Sequence, residues 1–303
     1  MQVVTAQKDR STGKWVVELD GRRIRSMSKQ YLAARAVEVG YAVSFGDEVS
    51  AASAVEVPTF NINERFDFVA KLVTMVANGV QASAVITGEG GLGKTFTVTK
   101  TLDDCGYTDI SDLGALGEAA VIRRSKTYIT VKGFSTAKGM YRTLFENNDG
   151  IIVFDDCDSV LKDPIALNVL KSALDSYGKR IISWNADLKD DDLPRSFNFT
   201  GRVIFISNLS QNQIDQAIRS RSMMIDLSMT TEQKIERMQT LVSHPDFMSE
   251  FEVEEKIDAL NLIREVGDAA KEISLRTLIS VTKIRSANSA TDWQSLAKYI
   301  LVS

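Results

Sequence analysis

Hydrophobic and polar positions divide the chain into three stretches. Residues 1 to about 45 hold two short apolar runs, QVVTAQ and KWVVEL, joined by the turn-forming KDRSTG; they read as two strands. After the Asp20-Gly21 pair, SKQYLAARAVEVGYAV has a helical spacing. GDEVSAASAVEVPTFN is small, polar and interrupted by Pro58, which predicts a linker.

From there to about residue 228, strand-like runs alternate with helical ones, the pattern of a parallel sheet covered by helices. Five strands are expected: SAVIT at 83–87, YITVK at 128–132, GIIVFD at 150–155, RVIFIS at 202–207 and SMMIDL at 222–227. DPIALNVLKSALDSYG reads as a helix capped by Asp163, with Pro164 in the first turn, where a missing N–H costs little. RIISWNADLKDDDLPRSFNFTG fits either an inserted hairpin or a surface loop. Everything from Met229 onward is helical in pattern, opening on Thr230 three residues before Gln233, a capping-box spacing. The expected division is a small N-terminal piece with linker over 1–55, an α/β domain over 56–228 and a helical domain over 229–303.

Composition narrows the chemistry. The chain has 303 residues, 44% hydrophobic and 25% charged, enough for two packed cores. No apolar run reaches the length of a membrane span and the amino terminus lacks the apolar core of a signal peptide, so a cytoplasmic protein is expected. Cys105, Cys157 and the single histidine, His244, supply neither a disulfide framework nor zinc-ligand spacing. Any metal chemistry falls to carboxylates and phosphate oxygens. A net charge of -4 and a pI near 5.3 argue against wholesale coating of nucleic acid. Charge is uneven, however: residues 1–38 carry eight basic and four acidic side chains, +4 net, which leaves -8 for the rest. That segment reads as a small solvated domain with Trp15 in its core, or as a docking module for nucleic acid or a partner.

The strongest local signal is Gly88-Glu89-Gly90-Gly91-Leu92-Gly93-Lys94-Thr95, which fits G-x-x-x-x-G-K-[ST] without mismatch, with Phe96 next in the helix that follows. Glycines let the backbone curl until successive N–H groups face one phosphate, and the following helix offers its amino end to the same anion. Lys94 is placed to reach β- and γ-phosphates and Thr95 to offer a hydroxyl to Mg²⁺, a cradle that by itself suits a kinase, a GTPase or a motor. About 60 residues later GIIVFDDCDS ends an apolar strand in two carboxylates. Asp155 suits the metal shell and Asp156 the attacking water. The carboxyl end of a sheet strand is where open α/β sheets bind ligands.

With these motifs the chain resembles the AAA+ ATPases over roughly residues 60 to 285. RVIFISN looks like the family's sensor strand, which lies between the two nucleotide motifs in the sheet; Asn208 stands at its end. IDQAIRSRSMMIDL is similar to the segment carrying an arginine finger, with Arg221 the first candidate and Arg219 the second. ISLRTLISVTKI resembles the start of a lid helix with a second sensor arginine, Arg276. KGFSTAKGMYRTLFENNDGIIVFDDCDSVL also looks like AAA+ proteins of large tailed bacteriophages, which would place this one in a bacterial host cytoplasm. One departure stands out: the family usually has Glu where Asp156 stands, and the shorter arm bears on hydrolysis rate. Asp158 matches a frequent acidic position and is expected to be structural.

The resemblance implies a five-stranded α/β core with a helical C-terminal lid, and a hexameric ring in which Arg221 serves the neighbour's nucleotide. It also implies ATP hydrolysis that remodels or translocates a protein or nucleic acid. Phe134, after Gly133 and beside Lys132 and Lys138, falls where such rings grip substrate, although a core position fits it equally well. The alternative is a slowly hydrolysing, ATP-gated assembly factor or a DNA or helicase loader. A small-molecule kinase is disfavoured, because it needs neither the sensor nor the lid arginine.

Overall fold

The computed structural model describes residues 2–9, 12–45, 48–50, 60–111, 126–175, 178–185, 193–288 and 292–303. Two compact units emerge, Met1–Phe60 and Asn61–Ser303.

The first unit contains β1 (Gln2–Thr5), β2 (Gln7–Lys8), β3 (Trp15–Leu19), β4 (Arg22–Ser26), α1 (Lys29–Val37), β5 (Tyr41–Phe45) and β6 (Glu48–Ser50). QVVTAQ is not one strand: it breaks at buried Ala6, so β1 pairs in parallel with β5 while β2 pairs with β3. The helix expected over SKQYLAARAVEVGYAV is cut short at Val37. Gly40, at φ 86°, turns the chain, and Tyr41–Phe45 becomes a strand whose Val43 and Phe45 join the core. β4 pairs with β3 although its composition, RRIRS, is mostly charge: Ile24 packs on the core while Arg23 and Arg25 stay exposed. The expected linker begins with a strand, because β6 pairs antiparallel with β5; its residues 51–59 lie outside the described residues. Trp15 meets Phe45 edge to face at 5.2 Å, with the Lys29 ammonium 5.0 Å from its ring.

The second unit is built on a parallel sheet of six strands, one more than expected. β7 (Ser83–Thr87), β8 (Thr108–Asp109), β9 (Thr127–Lys132), β10 (Ile151–Asp155), β13 (Arg202–Ser207) and β14 (Met223–Asp226) lie in the order β14-β7-β13-β10-β9-β8. The sixth, β8, is two exposed residues at the edge, too short to leave an apolar run in the sequence. β7 and β10 are buried at all five positions, as strands covered on both faces must be.

Helices cover the sheet: α2 (Ile62–Ala77), α3 (Lys94–Asp104), α4 (Ala137–Glu146), α5 (Asp158–Lys162), α6 (Pro164–Ala173) and α7 (Gln216–Arg219). The α2 and α3 side packs Phe66, Val73, Val98 and Leu102 against Ile86 and Ile204. The opposite side packs Met140, Tyr141 and Leu170 against Phe154 and Phe205, whose rings stack at 5.4 Å. Asp163 caps α6 through the Ile165 and Ala166 N–H groups, with Pro164 at its first position.

Between α6 and β13, β11 (Ile181–Ser183) and β12 (Ser196–Asn198) form an antiparallel hairpin whose tip, residues 186–192, lies outside the described residues. After β14 come α8 (Thr231–Val242), α9 (Val253–Val266), α10 (Leu275–Ala287) and α11 (Trp293–Val302), which share a hydrophobic cluster including Met238, Ile263, Leu278 and Leu301. α8 opens on the Thr230/Gln233 capping box. Among the described residues, no helix is long and apolar enough to cross a membrane.

Candidate functional site

Parallel pairing brings the carboxyl ends of four strands together. Asp155 on β10 is level with Ile206 on β13, Ser207 with Thr87 on β7, and Thr87 with Asp226 on β14. The Gly88–Gly93 loop leaves β7 at this edge and enters α3 at Lys94. At Gly88, φ is 138° and an added Cβ would sit 2.9 Å from the Leu227 carbonyl carbon. At Gly91, φ is 73° and the same atom would lie 3.2 Å from Ser274. Glycine is therefore favoured by conformation at both positions and required by space at Gly88, where the clash is with backbone. Leu92, which follows Gly91, is buried and anchors the loop to the α2/α3 core.

Lys94 is 5% exposed and its ammonium donates to the Gly88 and Glu89 carbonyls, at 2.6 and 2.7 Å, and to the Asn208 side-chain oxygen at 2.9 Å. Burial pulls its pKa below the usual lysine value, against the upward pull of Asp156, Asp155 and Asp158. The Thr95 hydroxyl donates to the Asp155 carboxylate at 3.0 Å. Burial pushes the Asp155 carboxyl up, an effect the Thr95 hydrogen bond offsets in part. Asp156 is exposed and has φ 55°, a left-handed backbone uncommon for a side-chain-bearing residue. Its N–H donates to Ile206 at 3.0 Å, and its carboxylate accepts from the Asn208 amide at 2.8 Å. Asn208 therefore joins the lysine of one motif to the second carboxylate of the other. Asp158 accepts from Ser207 at 2.6 Å, tying α5 to the end of β13.

A pocket of about 610 Å³ opens beside this network, lined by the loop from Gly90 to Phe96, by Asp155, Asp156 and Asn208, and by residues of α2, α8 and α10. Arg276, on the first turn of α10, is exposed and stands with a guanidinium nitrogen 3.9 Å from the position of a Cβ on Gly90. The Leu275 N–H donates to the Gly91 carbonyl at 2.9 Å. Glu89 turns its carboxylate to Lys234 on α8. Phe96 is 57% exposed at the pocket.

Two predicted residues do not join this group. Arg219 and Arg221 do not line the pocket. Arg219 is exposed, and Arg221 donates to the Ala217 carbonyl at 3.1 Å while its Nε has no partner among the described residues.

Sequence reading missed the far end of the pocket. Phe66 and Asp67 come from α2, and Arg237, Thr240, His244 and Phe247 from α8 and the turn after it. The Arg237 guanidinium lies 4.0 Å from the Phe66 ring centre. No motif marks these positions, which are some 170 residues apart and meet only when α8 packs on α2. Asn63 donates to Thr240 at 3.1 Å and accepts from Arg237 at 2.9 Å across that contact.

The phosphate and metal of a nucleotide can be tested against this cradle. The loop offers backbone curvature that only glycine allows, a buried ammonium and the amino end of α3. Thr95 and Asp155 present a hydroxyl and a carboxylate to one point, a donor set suited to Mg²⁺, which takes its remaining ligands from phosphate oxygens and water. Both groups fit.

No protein-family model matches the chain. A protein of Enterobacteria phage T4, described as an uncharacterized 36.7 kDa protein of the nrdC-mobD intergenic region, is 28% identical over 298 residues, spanning 91% of this chain and 82% of its own. Among solved structures, C. elegans PCH-2 is similar with a TM-score of 0.43 and 13% identity, over 79% of this chain and 67% of that one. The FIGL-1 AAA domain in complex with ADP has a TM-score of 0.40 and 13% identity, over 82% of this chain and 83% of that one.

Proposed function

We propose that the protein is an AAA+ ATPase that binds ATP and Mg²⁺ at the Gly88–Thr95 loop and hydrolyses ATP to remodel or translocate a protein or nucleic acid. The observation that carries the reading is the hydrogen-bonded chain Lys94–Asn208–Asp156 beside the Thr95–Asp155 pair, all at the mouth of one pocket.

In this reading the loop amides and Lys94 hold the phosphates, which requires the Lys94 ammonium to leave the Gly88 and Glu89 carbonyls for phosphate oxygens. Thr95 and Asp155 would hold the metal, which would supply charge neutralisation for the transferring phosphoryl group. Asp156 accepts a proton from the attacking water, and Asn208 holds that carboxylate and the lysine in register. Arg276 reaches the phosphates from α10. The segment from Met229 serves as a lid over the nucleotide, whose base occupies the Phe66, Thr240 and His244 end of the pocket.

Arg221, absent from its own pocket, serves a neighbouring subunit in a hexameric ring, with Arg219 as second candidate. Phe134 is 80% exposed after Gly133, as a residue gripping substrate must be and a core residue cannot. Resemblance to a phage T4 protein supports action in a bacterial host cytoplasm.

A second reading, a slowly hydrolysing ATP-gated assembly factor or DNA or helicase loader, is favoured by Asp156 itself. Its arm is one methylene shorter than Glu, and its carboxylate is already engaged by Asn208. Steady-state ATP hydrolysis, with and without single-stranded DNA or unfolded protein, separates the two. Stimulated turnover supports the motor; nucleotide binding without turnover supports the loader.

A further inference from the structure

The phosphate loop is held from outside by two different C-terminal helices, and one hold is ionic. Lys234, in the first turn of α8, has a side chain only 14% exposed, and its ammonium donates to the Glu89 carboxylate. Among the described residues it has no other acceptor. Glu89 is the second residue of the loop, 59% exposed, and its carbonyl accepts from Lys94 at 2.7 Å. The second hold is the Leu275 N–H on the Gly91 carbonyl. Next to Lys234, Gln233 accepts from Arg65 of α2 at 3.2 Å, and Arg65 also donates to the Ser228 carbonyl at 2.9 Å, which fixes the start of α8 on the sheet domain. Lys234 is thus presented to the loop by a braced turn.

An acidic side chain on the outer side of a phosphate loop opposes anion binding, since like charges repel. A fixed cation on that side chain cancels the repulsion, and because it belongs to another helix it also couples that helix to the loop. We propose that Lys234 is a positioning residue that acts through Glu89: their ion pair latches α8 to the phosphate loop and slows nucleotide release. This rests on reading the loop as a phosphate site.

The latch has a signature that a merely structural lysine lacks. Lys234→Met leaves an unpaired carboxylate on the loop and releases the loop from α8, which Arg65 and Asn63 still hold on the sheet domain, so fluorescent ADP should dissociate faster, by roughly fivefold on the scale of a partly exposed ion pair. Glu89→Gln removes the latch and the repulsion together, so its effect should be smaller. The double variant Glu89→Gln/Lys234→Met should release no faster than Lys234→Met alone, because either single already breaks the same ion pair.

The test is stopped-flow dissociation of fluorescent ADP from the full chain and these three variants, with thermal melting to establish that each is folded and Lys94→Ala as control. Faster release in Lys234→Met that adding Glu89→Gln does not increase supports the latch. Unchanged release in Lys234→Met, or single effects that multiply in the double variant, overturns it while leaving the nucleotide site intact. A wild-type protein that binds no adenine nucleotide overturns the site and the latch together. If Lys234→Met fails to fold, Lys234→Arg and Glu89→Gln replace it: Arg should keep slow release and Gln should not, and equal rates would overturn the proposal.

Discussion

The Asn208 amide donates to the Asp156 carboxylate at 2.8 Å, while its oxygen accepts from Lys94 at 2.9 Å. One side chain thus holds the Asp156 carboxylate and the Lys94 ammonium at once. Asn208→Ala should lower kcat by about 10²-fold, the scale on which removal of one preorganised polar contact acts. It should change ADP affinity far less. Comparing turnover with ADP titration on the same sample checks this; equal losses in both would place Asn208 in binding alone.

Asp156 decides between motor and loader. Asp156→Asn should abolish turnover while keeping ATP bound, because the amide accepts no proton at neutral pH. Asp156→Glu extends the arm toward the water, and turnover should rise severalfold if reach limits the rate. The left-handed backbone at φ 55° reduces that gain in part, since Asp tolerates this region better than Glu. A phosphate-release assay on both variants reads the outcome.

Arg221 tests the shared site. Arg221→Ala should leave nucleotide affinity near wild type and cut turnover by about 10³-fold, the effect of an arginine supplied in trans. Mixing it with an Asp156→Asn variant should restore part of the activity, because each supplies what the other lacks at some interfaces. Normal turnover in Arg221→Ala would remove the ring mechanism, and the same loss in Arg219→Ala would transfer the role.

Much of the sheet domain was legible because its signals are local. Buried strands such as IIVFD leave unbroken apolar runs, and the glycine loop is contiguous in sequence. The first unit was less legible. RRIRS carries no apolar alternation beyond Ile24, and YAVSF followed a helical run closely enough to be absorbed into it; only Gly40 at positive φ separates them. Of the residues proposed for the site, Lys94, Thr95, Asp155 and Asp156 stand in motifs contiguous in sequence, whereas Asn208 entered only through the family resemblance. The Phe66–Arg237 contact and the Lys234–Glu89 pair did not, because each depends on how α8 lies against the sheet domain, which no local pattern encodes.

The two cysteines should differ in reactivity. Cys157 is buried beside the site, and burial with the charges of Asp155, Asp156 and Asp158 pushes its thiol up to about 11. At pH 8 it is therefore almost wholly protonated and unreactive. Cys105 is half-buried at the end of α3. Iodoacetamide at pH 8 should label Cys105 in the native protein, with Cys157 labelled only after unfolding. Peptide mapping by mass spectrometry checks the order, and early labelling of Cys157 would mean that the carboxyl end of β10 opens readily.

The central claim is that the Gly88–Thr95 loop clasps the phosphates of an adenine nucleotide. Calorimetric titration of the purified chain with ATP and Mg²⁺, beside Lys94→Ala, tests it most directly. Saturable binding by the wild type, weakened at least tenfold in the variant by loss of a buried charged contact, is the expected result. No binding by the folded wild-type protein, or equal affinity in the two, would contradict it.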